Sequence, residues 1–84
     1  MGYEIIDTIR RFFIDQAWLT DEDAVLESDS LLEKGVIDSM AMVELIAYVE
    51  QTYNINIQED ELMPENFDSL AAIAAFIDAK RNGA

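Results

Sequence analysis

Apolar residues return at helical spacing in three separate stretches of this chain, and that periodicity restricts the fold more than any other feature. Between residues 4 and 17, Ile5, Ile6, Ile9, Phe12 and Phe13 follow an i, i+3, i+4 pattern and share one stripe, with Arg10, Arg11 and Asp15 largely away from it. A second helix is predicted from about Asp38 to Tyr53, with Met42, Leu45, Ile46, Val49 and Tyr53 as its core stripe. A third runs from about Ser69 to Lys80 on Leu70, Ile73, Ala74 and Ile77, and Gly83 stops it. Asn54 to Ile57 reads as a short extended link, and Gln58 to Leu62 as a single helical turn before Pro64. The expected fold is all-α: a small four-helix bundle of three main helices and one short one, in a single domain over residues 1–84. A chain of this length has room for one modest core.

The connection from Trp18 to Ile37 is longer than structureless loops usually are in compact domains. It carries its own apolar anchors, Trp18, Leu19, Val25, Leu26, Leu31, Leu32, Val36 and Ile37, which can pin it across the bundle.

Chemistry narrows next. The chain has neither cysteine nor histidine, so it offers no thiolate nucleophile, no disulfide and no ordinary base for activating a serine. The Asp21-Glu22-Asp23 run lacks the glycine and ligand spacing of a calcium loop, and no metal site is expected. No residue is assigned a catalytic role, and the protein is read as non-catalytic. Eighteen acids against five basic residues give a formal charge of −13, which argues against nucleic acid and in favour of basic protein surfaces as partners. No apolar run approaches the roughly 18 residues of a membrane span, and the N-terminus does not read as a secretory signal. The expectation is a cytoplasmic protein, monomeric, with no membrane span.

Three serines follow an aspartate and precede an apolar residue: Ser30, Ser39 and Ser69. Ser30 opens Ser30-Leu31-Leu32-Glu33, which has the form of a capping box, with Glu33 able to reach back to the N–H of residue 30 and the leucines facing inward. Ser69, with Asp68, is a natural cap for the last helix. Ser39 stands at the start of the second helix, where Asp38 is the expected cap and the free N–H groups of the first turn favour a phosphate. Beyond it, Val43, Ala47 and Glu50 form a line beside the core stripe, flanked by Met40 and Glu44. A mildly apolar strip edged with acids suits docking to a basic partner.

Gly35-Val36-Ile37-Asp38-Ser39-Met40, followed by Val43-Glu44-Leu45-Ile46, resembles the signature around the modified serine of acyl carrier proteins and of peptidyl and D-alanyl carrier domains. The likeness extends over nearly the whole chain, from the first helix through Ser30-Leu31-Leu32 and Glu33-Lys34-Gly35 to Asn66-Phe67-Asp68-Ser69-Leu70. It implies that Ser39 bears a 4′-phosphopantetheine arm, transferred from coenzyme A as a phosphodiester, whose thiol holds an acyl or aminoacyl group as a thioester. Asp38 matches the acid linked with positioning coenzyme A and magnesium, and Met40, Val43, Glu44, Ala47 and Glu50 match the partner-recognition helix. The implied partners are a phosphopantetheinyl transferase, a loading ligase, and downstream synthase enzymes with basic docking surfaces. Met40 stands where leucine is more usual, and Ala41 and Met42 where many fatty-acid carriers have an acid and a polar residue. These departures point to a free-standing carrier of a specialised polyketide, nonribosomal peptide or aminoacyl pathway. The alternative is an unmodified acidic adaptor that uses the helix 39–53 face for protein contacts alone.

Overall fold

Each of the three periodic stretches folds as a helix in the computed structural model, which describes residues 2–21 and 25–81. Glu22 and Asp23 of the acidic run, and Gly83, lie outside the described residues. Helix α1 (Gly2–Asp15) buries Ile5, Ile6, Ile9 and Phe13 and keeps Phe12 half-buried. Helix α2 (Ser39–Tyr53) is followed by the link at residues 54–58 and a 3₁₀ turn (Glu59–Glu61). A one-turn helix α3 (Pro64–Phe67) precedes α4 (Leu70–Arg81). Proline at the start of α3 is favoured because its missing N–H falls where the helix has no acceptor to offer. No strand occurs among the described residues, and none of their helices is long and apolar enough to cross a membrane.

Helix α4 is the common support. Its Leu70, Ile73, Ala74 and Ile77 are buried, α1 packs against it most extensively, and α3 and α2 pack against it as well. Helix α2 meets the core through Ala41, Leu45 and Val49. That line is rotated by about one residue from the expected stripe: Met42, Ile46 and Tyr53 are only half-buried. Tyr48 stacks on Phe12 of α1 with ring centroids 3.9 Å apart, and Trp18 meets the same Phe12 edge-on at 5.3 Å.

Three reversals of the chain turn on a residue of positive φ, each of a different type. After α1, Trp18 N–H donates to Phe13 O at 2.8 Å and Ala17 N–H to Ile14 O at 2.9 Å, with Ala17 at φ +64°. Gly35 at φ +71° does the same between Leu31 and Val36, and Asn54 at φ +53° ends α2. Glycine and asparagine tolerate this left-handed position, whereas alanine places its Cβ against a carbonyl. Ala17→Gly is therefore expected to stabilise the fold by about 0.5–1 kcal/mol, seen as a higher urea midpoint at constant m-value.

The long connection is held as expected by Leu19, Val25, Leu31 and Ile37, all buried, with Trp18 and Val36 half-buried. Leu26 and Leu32 do not anchor it, at 65% and 41% exposure. Asp29 Oδ2 accepts from Leu26 N–H at 2.8 Å, closing a local turn that faces Leu26 outward, and Leu32 follows the fully buried Leu31 on the opposite side of its turn. Asp29 also pairs with Lys34 at 3.3 Å, and the Leu26 N–H first, then Lys34, hold its carboxyl below the ordinary value of 3.8. Arg10 is not turned away from the interior either. It is half-buried, and its Nη2 donates to Val25 O at 3.3 Å, tying α1 to the connection.

Candidate functional site

Hydrogen bonding separates the three serines. Ser30 Oγ donates to Asp68 Oδ2 at 2.7 Å and accepts from Glu33 N–H at 3.2 Å, so its hydroxyl is committed to structure. Asp68 was expected to help cap α4; its carboxylate instead crosses to the connection, where Oδ1 also accepts from Leu32 N–H at 3.0 Å. The backbone reinforces this seam, with Leu31 N–H donating to Asp68 O at 2.7 Å and Ala71 N–H to Glu27 O at 3.0 Å. Capping of α4 falls to Ser69, whose Oγ accepts from Ala72 N–H at 3.0 Å.

Ser39 differs from both. It is the first residue of α2 and is exposed, and the capping role belongs to its neighbour: Asp38 Oδ1 accepts from Ala41 N–H at 2.9 Å. The hydroxyl is therefore not needed by the helix. The N–H groups of Ser39 and Met40 have no intrahelical acceptor, because a helix leaves its first-turn donors unpaired. Such a turn holds an esterified phosphate well, through its N–H groups and its positive dipole end. A phosphopantetheine ester thus fits here without displacing any side chain that supports the fold.

Charge around the serine has one sign. No lysine or arginine occurs between Lys34 and Lys80, so α2 carries only acids. Most of the basic residues are held elsewhere: Lys34 on Asp29, Lys80 on Glu61 at 2.8 Å, and Arg81 over the Tyr53 ring at 5.5 Å. No cluster of three metal-ligating side chains occurs among the described residues, so any cation at Asp38 needs ligands from another molecule.

Met40 and Val43 are 77% and 67% exposed, large values for apolar side chains, and Glu44 and Ala47 are exposed beside them. Glu50 is set apart from this group. It is half-buried, and its Oε2 accepts from Ile57 N–H at 2.9 Å, bracing the link that leaves α2. On the other side of the exposed line, Met42 and Ile46 face Leu62, Met63 and Phe67 across a cleft of about 100 Å³. Sequence reading did not anticipate this cleft. The available signal was Leu62-Met63 immediately before a helix-opening proline, two apolar residues with no periodic partner.

Residues 4–77 match the family described as the phosphopantetheine attachment site. The chain is also 30% identical over 69 residues to the D-alanyl carrier proteins of Streptococcus pyogenes serotypes M5 (strain Manfredo), M49 (strain NZ131) and M1, covering 82% of this chain and 85% of each relative. The family carries 4′-phosphopantetheine and serves as a carrier, not a catalyst. An all-α bundle, a serine left free at a helix start and a match over most of the length agree: this chain belongs to the phosphopantetheine-binding carrier proteins.

Proposed function

We propose that Ser39 takes the phosphopantetheine arm and that the protein carries an acyl or aminoacyl group on it, as a thioester, between enzymes of one biosynthetic route in the cytoplasm. The observation that carries this reading is the division of labour among the serines: Ser30 and Ser69 are bound into caps, and Ser39 is capped for by Asp38. In arm transfer, Ser39 Oγ attacks the phosphorus nearest pantetheine, the phosphoanhydride bond of coenzyme A breaks, and the nucleotide half leaves. The serine proton passes to a base of the transferase, since this chain has no histidine. Asp38 caps α2 through Oδ1, and its exposed carboxylate would help hold a magnesium ion brought with coenzyme A.

Specialised polyketide, nonribosomal peptide and aminoacyl routes all fit a carrier of this kind. The similarity to D-alanyl carrier proteins adds weight to an activating ligase as the loading enzyme. Partners approach the exposed apolar line of Met40, Val43 and Ala47 with basic groups directed at Glu44, while Glu50, braced against Ile57, stands at the edge of the contact. The decisive measurement is an intact mass after incubation with coenzyme A, magnesium and a broad-specificity transferase, followed by peptide mapping. One phosphopantetheine increment on the Ser39 peptide is expected, and its absence from folded protein across several transferases would return the molecule to an adaptor role. Glu44→Lys is expected to weaken transferase binding about three- to tenfold at low salt, less at high salt, with no loss of helicity. Surface plasmon resonance at two salt concentrations, with circular dichroism alongside, checks both halves.

A further inference from the structure

Ser39, Met42 and Ile46 lie along one side of α2, because steps of three and seven residues return to nearly the same face of a helix. The axial rises from Ser39 are about 4.5 and 10.5 Å, short enough for a flexible arm to fold back along the helix. Its end would then meet the cleft formed by Met42, Ile46, Leu62, Met63 and Phe67. All five lining side chains are apolar, so a charged ammonium would find no side-chain acceptor there and would lose its hydration with little compensation. A cavity of roughly 150 Å³ accepts benzene. By the same scale, about 100 Å³ takes an unbranched acyl group of about four carbons.

Whether that size is a real limit depends on what fixes the walls, and both lead to one residue. Leu62 and Met63, half-exposed at the rim, follow Glu61, whose Oε1 accepts from Lys80 Nζ at 2.8 Å and from Gln58 N–H at 2.8 Å. The Glu61 carbonyl accepts from Asn66 Nδ2 at 2.9 Å, so the same residue ties the 3₁₀ turn to α3. Lys80 first, then the Gln58 N–H, hold the Glu61 carboxyl below its ordinary 4.5, so the pair is ionised at neutral pH. The back wall is Phe67, packed on Phe76 at 5.1 Å, and the Lys80 ammonium lies 5.9 Å from the Phe76 ring. Lys80 thus touches the supports of both walls from the far end of α4.

We propose that Lys80, through Glu61, is the positioning residue that sets the length of acyl group this carrier shelters, at about four carbons. The proposal rests on Ser39 as the arm-bearing residue and adds the selection of cargo by a remote ion pair. The wild-type protein is loaded directly with butyryl-, octanoyl- and β-alanyl-coenzyme A by a broad-specificity transferase chosen for its tolerance of acylated coenzyme A. Thioester hydrolysis is then timed by intact mass. Each methylene that enters the cleft should slow hydrolysis by up to about fourfold, the factor for burying one CH₂. Butyryl should be protected, octanoyl no better than butyryl, and β-alanyl not at all.

In Lys80→Ala the rim is released: octanoyl should become the best protected and the preference for butyryl should vanish, while Lys80→Arg restores the wild-type order. Glu61→Gln, which keeps an acceptor for Gln58 N–H but removes the charge, should reproduce Lys80→Ala, so the test survives if either variant folds poorly. A loaded protein whose chain-length order is the same in wild type, Lys80→Ala and Glu61→Gln would overturn the proposal and leave the carrier reading standing. No mass gain with any acylated coenzyme A would overturn both.

Discussion

Ser39→Ala is expected to abolish the phosphopantetheine mass increment completely, while Ser30→Ala and Ser69→Ala continue to be modified. The three variants differ in stability in the opposite sense. Losing the Ser69 cap should cost about 1 kcal/mol. Losing Ser30 leaves Asp68 Oδ2 and Glu33 N–H without their partner and should cost a similar amount. Ser39→Ala should change stability by less than about 0.5 kcal/mol, because the hydroxyl lies outside the cap and is exposed. Modification and stability therefore respond to different serines. Mass spectrometry of the three proteins after transferase treatment, with urea denaturation of each, reads both quantities. An arm on Ser39→Ala would sink the site assignment outright.

Leu45→Ala is the substitution expected to damage the fold most for its size. Leu45 is fully buried at the centre of the Ala41, Leu45, Val49 line that seats α2, and removal of such a side chain costs about 2–5 kcal/mol. For a domain this short that is a large share of a total stability of roughly 5–10 kcal/mol. Met42→Ala provides the contrast. Its side chain is half-buried and already borders open space, so the loss should be about 1 kcal/mol. Equal losses by chemical denaturation would mean that α2 turns its Met42 side into the core as deeply as its Leu45 side.

That contrast also marks where sequence reading reached its limit. The helices were legible because their apolar spacing is regular, and Ser39 stood out because of the mildly apolar, acid-edged strip that follows it and the carrier-protein signature around it. The exact buried line of α2 was not legible. Met42 and Ile46 are as apolar as Leu45, and only the packing of α3 against α4 decides that they border a cleft. The connection was half legible for a related reason. Leu31 and Leu32 are identical in type and adjacent, and which one turns inward is fixed by Asp68 reaching from the other end of the chain. Arg10 gave no sign in its periodicity that it would bond to Val25 O, since that acceptor lies in an irregular segment.

The seam at Asp68 has a consequence for how proteins of this shape can diverge. Leu31 and Leu32 meet Asp68, and the chain between them makes one excursion that contains Ser39, the exposed line of α2 and the cleft. Helices α1 and α4, whose mutual packing is the most extensive in the molecule, stand outside that excursion. The excursion is pinned at its two ends by this seam and seated along α2 by Ala41, Leu45, Val49 and the Tyr48–Phe12 stack, so its outward side alone is left without a structural duty. Mutations can re-tailor that outward side to a new enzyme while the α1 and α4 frame, encoded elsewhere, keeps its own side chains. An architecture divided in this way lets one small scaffold be inherited by many pathways, with the changes concentrated between two neighbouring backbone positions.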